Sequence, residues 1–243
     1  MTYETMNESG SHHCLHGGAC AREEFEVKDE RKALAFHQTR EWFEENRATY
    51  ESEVKGPFGD LIEDLAVAFA KARIPLKGDR KASLFRLNRD IRFSQDKSPY
   101  KTHAGAVLTR GGAKNDKGLF YIHVAPDGCF VAAGFYHPEP ADLAALRRAI
   151  VRAPKAYAKV IAALKEAKIE IDDEEDMKRL PRGFEEVKEP EIAAALMKKS
   201  YIGSRPIAAA RLRGPGLIDD LVGFGREVAP LLEWGWGAIV DER

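Results

Sequence analysis

Between Arg86 and His103 the chain reads Arg-Leu-Asn-Arg-Asp-Ile-Arg-Phe-Ser-Gln-Asp-Lys-Ser-Pro-Tyr-Lys-Thr-His, with five cations, two carboxylates and a tyrosine set between apolar runs. Arginine presents a planar fork of donors that matches phosphate or carboxylate, and lysine adds a mobile point charge. Arg86, Arg89, Arg92, Lys97 and Lys101 are therefore candidate ligand-binding residues for an anion, joined by His103 and, from a later strand, by Tyr121 and His123. A helix packed over the small residues near Tyr121 and His123 is the competing account of those two rings. If chemistry is done here, Asp90 or Asp96 is the candidate base and Tyr100, His103 or His123 the candidate acid. The cations would then stabilise developing negative charge. The plain alternative is a charged edge strand that meets only water and deters aggregation.

The elements that must carry these residues follow from hydrophobic period. Phe85, Leu87, Ile91 and Phe93 alternate as in a strand, which puts Arg89 on their apolar face and Arg86, Asn88, Asp90 and Arg92 on the other. A lone guanidinium in a core is costly, so either Arg89 meets a carboxylate or carbonyls there, or a bulge near Asn88-Arg89 returns it to the polar face. Ala104 to Leu108 continues as a second strand. Leu119 to Val124 and Cys129 to Tyr136 flank Pro126-Asp127-Gly128, which reads as a hairpin with Asp127-Gly128 as its loop. That register faces Phe120, Ile122 and Val124 with Phe135, Ala133 and Val131. Tyr121 and His123 then face Gly134 and Ala132.

Helices surround this block. Arg40 to Lys55 forms the first, ended by Gly56-Pro57, and Pro57 opens a second with an apolar stripe of Phe58, Leu61, Ile62, Leu65 and Phe69. Pro140 and Pro154 each start another, and helices from about Pro190 to Lys199 and Leu217 to Glu233 close the chain. Helices in runs around a block of strands predict a single α+β domain with a mainly antiparallel sheet and a central Asp-Gly hairpin, flanked by N-terminal and C-terminal helices.

Composition narrows the function classes. The chain has 243 residues, 44% hydrophobic and 32% charged, as in a soluble globular protein. No apolar run approaches the roughly 20 residues that span a bilayer, and no secretory signal is present, so a cytoplasmic protein without a membrane partner is expected. Cys14, Cys20 and Cys129 make no disulfide framework, and Cys129 is expected to be a buried thiol. The His- and Cys-bearing stretch from His12 to Cys20 lacks zinc spacing, so residues 1–34 are expected to be a disordered or atypical leader, with neither metal nor cofactor called for.

The formal net charge of −1 hides segregation. Eleven Lys/Arg against four Asp/Glu lie between Lys77 and Lys117, and ten acids against four bases between Glu170 and Glu191. A bounded basic region in a neutral chain suits a local anion site better than a nucleic-acid coat.

The run of Arg86, Arg89, Asp90, Arg92 and Phe93, then Asp96, Lys97 and Tyr100, resembles the signature R-x-x-R-D-x-R-F followed by D/N-K-x-x-Y of a bacterial and fungal family, domain of unknown function 2461. Arg40-Glu41-Trp42-Phe43, Tyr50, Pro57 and Gly134-Phe135-Tyr136-His137-Pro138 fit the same family. So do Arg147 ahead of Ile150, Leu180-Pro181-Arg182-Gly183-Phe184 and Ser204-Arg205-Pro206. The similarity runs from about Ala35 to Glu233, and residues 1–34 depart from the family pattern. It implies a place for the site and no activity, substrate or cofactor.

Three functions compete. The first is binding of a phosphorylated or other anionic small molecule, with nucleic acid ranked below it because of the bounded basic region and the isoelectric point of about 6.7. The second is a metal-independent hydrolase or transferase acting on such a ligand. Gly-x-Ser-x-Gly, His-Glu-x-x-His, a Gly-rich phosphate loop and a dinucleotide fingerprint are all missing. The third is a scaffold whose basic face meets an acidic partner, within the chain or on a second copy.

Overall fold

The computed structural model describes residues 37–92, 95, 97–212 and 214–240. The leader with Cys14 and Cys20, and Phe93, Ser94 and Asp96 of the charged run, lie outside the described residues.

Thr39 caps the first helix, α1 (Arg40–Tyr50), its hydroxyl accepting the Trp42 N–H at 3.3 Å. The helical path does not stop at Gly56-Pro57 as the sequence suggested. It widens into a π-helical turn, Glu51–Lys55, closed by the Gly56 N–H on the Glu51 carbonyl, and continues as α2 (Gly56–Lys71). Pro57 has no N–H to return to the preceding turn and its ring would press on the carbonyl four residues back. One extra residue in the turn lets the axis pass that obstacle unbroken. Phe58, Ile62, Leu65 and Phe69 then form the buried face of α2. Asp79 caps a single turn, α3 (Arg80–Ser83), through the Lys81 and Ala82 N–H groups at 2.7 and 2.6 Å.

Four antiparallel strands follow in the spatial order β1 (Ala104–Thr109), β2 (Leu119–Ala125), β3 (Gly128–Phe135), β4 (Tyr201–Ile207). The β2–β3 register differs from the expected one by two residues. Ala125 faces Gly128, so Pro126-Asp127 is the loop, and Phe120, Ile122 and Val124 face Ala133, Val131 and Cys129. Proline's fixed negative φ suits the first central position of a type I turn, with glycine after it at the fourth. A primed turn on Asp127-Gly128 would need a positive φ at Asp127, which the structure does not have. A slip of two preserves faces, so the expected apolar face is the buried one. Tyr121 and His123 now oppose Ala132 and Phe130.

β4 falls in a stretch that the sequence reading left without an element. It contains Gly203 and Pro206, residues that strand interiors disfavour, and Pro206 is tolerated because β4 ends the order of named strands. Between β3 and β4 run α4 (Pro140–Arg152), α5 (Pro154–Glu166) and α6 (Pro190–Met197), and α7 (Leu217–Val240) closes the chain, longer than expected by seven residues beyond Glu233. The core sits between the sheet and the helices, with the Phe120 ring 5.0 Å from Phe69 of α2 and 5.8 Å from Phe224 of α7. This is a single α+β domain with a wholly antiparallel sheet. Cys129 is a buried free thiol whose Sγ lies 3.4 Å from the Ala125 carbonyl. Among the described residues, no helix is long and apolar enough to cross a membrane.

Candidate functional site

The charged segment is not the regular strand that its alternation suggested. It runs alongside β1 in extended form with isolated pairings, Leu84 to Ala106 and Asn88 to Tyr100. The Phe85 N–H reaches the Gly105 carbonyl at 2.9 Å, Lys101 donates to Leu87 at 2.9 Å and Arg89 to Pro99 at 2.8 Å. Four steps on one side match six on the other, so the extra residues sit between Tyr100 and Ala106 rather than at Asn88-Arg89. Nor does the odd face enter the main core. Phe85 and Ile91 are 40% and 38% exposed, and Arg89 between them is half-buried.

This segment forms one wall of a cleft of about 790 Å³. The opposite wall is α1 with the π-helical turn. Between them lies a small apolar cluster separate from the main core, in which Phe43 and Tyr100 are buried and Tyr50 and Leu87 half-exposed. The Phe43 and Tyr100 rings are 4.7 Å apart, and the Tyr100 backbone N–H donates to Gln38 Oε1 at 3.1 Å.

The two walls differ in electrostatics. On α1 and its turn, cations sit beside carboxylates: Arg47 forks onto Glu44 at 2.8 and 3.0 Å, Arg40 approaches the same Glu44 at 4.0 Å, and Lys55 reaches Glu51 at 2.8 Å. Arg80, which also lines the cleft, pairs with Asp60 and Glu63. The other wall is unbalanced. Lys101 and Lys114 each hold their Nζ 5.5 Å from the centre of the Phe85 ring, whose quadrupole favours a cation. Lys114 also donates to the Leu84 carbonyl. Partial burial, and then the like charges of Arg86, Arg89 and Lys114, hold the Lys101 ammonium below the ordinary lysine range. Among the described residues, no salt bridge joins Arg86, Lys101 or Lys114 to a carboxylate, although the Arg86 charge adds to the lowering of the Asp90 carboxyl.

The candidate residues therefore divide. Arg86, Tyr100 and His103 line the cleft, and Lys101 stands behind Phe85 with Arg89 close to it. Arg92 is turned away: its Nε and Nη2 fork onto Asp90 at 2.9 and 2.7 Å, at a position where Arg92 is 75% exposed. Lys97 ties its own loop, donating to the Ile91 carbonyl at 2.9 Å. The fork from Arg92 holds the Asp90 carboxyl below the usual aspartate range. Both Asp90 carboxylate oxygens are engaged by that fork. Asp96 lies outside the described residues.

Tyr121 and His123 sit on the outer face of the sheet, joined by an Oη–Nδ1 hydrogen bond of 2.9 Å. His123 stacks on Phe130 at 4.6 Å and meets the His103 ring at 4.6 Å, which links this pair to the cleft through His103. Burial pushes the Tyr121 hydroxyl up to about 12. Lys114 was missed in the sequence. It lies in a Gly-rich loop between β1 and β2, where only the local charge excess hinted at it. The α1 wall was missed too, because its cations are interspersed with Glu41, Glu44, Glu45, Glu51 and Glu53 and leave no local positive excess.

Arg86 and Lys114 line the cleft, Lys101 and Lys114 both lie against the exposed Phe85 ring, and together they can hold a negatively charged group. Among the described residues, no group of three or more His, Cys, Asp or Glu side chains is gathered to hold a metal ion. Comparison with known families places the chain: it belongs to the family described as conserved hypothetical protein (DUF2461), whose model matches residues 32–234. No curated protein and no solved structure matches it.

Proposed function

We propose that this member of the DUF2461 family binds a phosphorylated or otherwise anionic small molecule in the cleft beside Phe85, with Arg86 and Lys114, which line it, as its direct cationic ligands and Lys101 and Arg89 behind them. One observation carries the reading: Lys101 is crowded by three like charges, and neither it, Arg86 nor Lys114 has a paired carboxylate among the described residues. Such crowding disfavours the empty native state, and an anion relieves it. Nucleic acid ranks below a small molecule, because the excess charge is confined to one wall of a concave site.

A thermal-shift screen of phosphorylated metabolites, nucleotides and short oligonucleotides tests this. At about a hundred times its dissociation constant, a ligand adds ~2.7 kcal/mol to native stability, about 5–10 °C in melting temperature for a chain of this size. Arg86→Ala, weakening binding by about tenfold, should cut the shift to about half at the same ligand concentration. Arg92→Ala, removing an arginine of the same segment that is forked onto Asp90, should leave it intact. Equal losses in both variants, or no shift with any anion, would overturn the proposal.

The second reading, an enzyme acting on the same ligand, draws on His103, whose ring lies on the cleft and contacts His123. Turnover of a bound phosphoester, lost in His103→Gln with binding kept, would establish it.

A further inference from the structure

We infer that the ligand of this cleft has two parts: an anionic group held at Arg86 and Lys114 with Lys101 behind them, joined to an uncharged apolar body at least one ring in size that lies along Leu84, Leu87 and Tyr50. This rests on the anion reading above and names the class of molecule that would satisfy it.

The first observation is size. A cleft of about 790 Å³ is far larger than a phosphate or sulfate ion needs and falls in the range of sites for whole organic ligands. The second is the division of charge. Among the described residues, Arg86 and Lys114 lie on the Phe85 wall without a salt bridge, while Arg47 and Lys55 on the helical wall are already satisfied by Glu44 and Glu51. A polyanion filling the cleft would find only one wall unneutralised and would lie against those two carboxylates.

The third observation is what lies between. Tyr50, Leu84 and Leu87 are half-exposed on the cleft, Tyr50 and Leu87 backed by the buried Phe43 and Tyr100 and Leu84 by the main core. Apolar surface beside water is covered favourably by an apolar ligand, in proportion to the area removed from solvent. The charge therefore sets where one end of the ligand sits, and the wall sets what the rest is made of. A phosphomonoester or acid of a hydrophobic compound fits both, whether that compound is free in solution or is the head of a lipid.

Isothermal titration of the full chain with inorganic phosphate, phenyl phosphate and 1-naphthyl phosphate tests the two parts separately. Affinity should rise along the series, with 1-naphthyl phosphate about tenfold or more tighter than inorganic phosphate, as burial of one to two rings predicts. Leu87→Ser should erase that ratio while leaving inorganic phosphate within about twofold of its original affinity. Arg86→Ala should weaken all three probes together by about tenfold, the loss of one charge-assisted contact. Tyr50→Ser repeats the wall test if Leu87→Ser fails to fold by circular dichroism.

The outcomes distinguish the two levels. Equal affinity across the series, or tightest binding by linear triphosphate, overturns the apolar body and leaves the anion site standing. No binding of any phosphate overturns both. Sedimentation with phosphatidic acid vesicles then separates sources. Retention released by 1-naphthyl phosphate places the apolar body on a lipid, and a protein left in solution places it on a soluble compound.

Discussion

At the scale of single residues, the same charge type does two different jobs within a few positions. Arg92 is forked onto Asp90, while Lys101 has Arg86, Arg89 and Lys114 around it and no paired carboxylate among the described residues. That contrast gives a titration prediction with a definite sign. The native state holds the Lys101 proton less firmly than the unfolded chain does, so Lys101 opposes folding while charged. This penalty is present at pH values below its depressed native value and fades as pH rises through it. A bound anion acts the other way, favouring the charged form and taking up a proton. Sulfate, which does not titrate in this range, should therefore lose affinity as pH climbs through the depressed value, at lower pH than an ordinary lysine would give. In Lys101→Arg, which keeps the charge, the early decline should vanish. An unchanged profile in that variant would place the titrating group elsewhere.

At the scale of elements, the helices and the sheet faces were legible because hydrophobic period is a local property: the stripe of α2 and the buried face of β2 and β3 stand as expected. What sequence alone could not supply was what each element lies against. The alternation from Phe85 to Phe93 is real, but the partner segment carries extra residues between Tyr100 and Ala106, so it pairs only at isolated points and its odd face stays half open. β4 was hidden for the opposite reason, since its breakers are tolerated only where pairing on one side is already incomplete. The helix break expected at Gly56-Pro57 failed because the chain absorbs the proline in a π-helical turn. That turn is a geometric device with a consequence for the cleft. Removing one residue, for example deleting Ser52, would restore an ordinary helical turn and rotate α1 by about 100° relative to α2. Helix content should then be kept by circular dichroism, while Phe43 and Tyr50 leave the cleft and the step in affinity from inorganic to 1-naphthyl phosphate disappears. A variant that keeps the step would show that α1 is not its source.

At the scale of the whole molecule, the family's motif residues separate into those that bound the cleft and those that hold the layers together. Arg205 of the Ser204-Arg205-Pro206 motif points into the fold: its Nη1 meets Glu227 of α7 at 2.7 Å, its Nη2 donates to the Ala167 carbonyl at 2.7 Å, and its guanidinium lies 5.3 Å from the Phe224 ring. Gly134 belongs to this class as well. Its φ of +136° is strained for any L side chain, and a Cβ there would fall 2.0 Å from the Tyr201 carbonyl oxygen, a backbone atom of the paired strand that cannot swing aside. None of this was legible in the sequence, where Arg205 and Arg86 are both arginines beside strand-like residues, because their difference lies in contacts made across the whole chain. The distinction predicts opposite signatures. Arg205→Ala should cost about 1–3 kcal/mol, since it strands Glu227 and frees a carbonyl, and Gly134→Ala should cost at least as much through strain at the β3–β4 pair. In both, denaturant unfolding should shift to lower midpoints while the protein that remains folded binds 1-naphthyl phosphate with unchanged affinity. Arg86→Ala should invert the pattern, with stability kept or slightly raised as like-charge repulsion is relieved, and affinity lost. If Arg86→Ala instead unfolds the chain as Arg205→Ala does, Arg86 is a structural residue and the cleft loses its principal ligand.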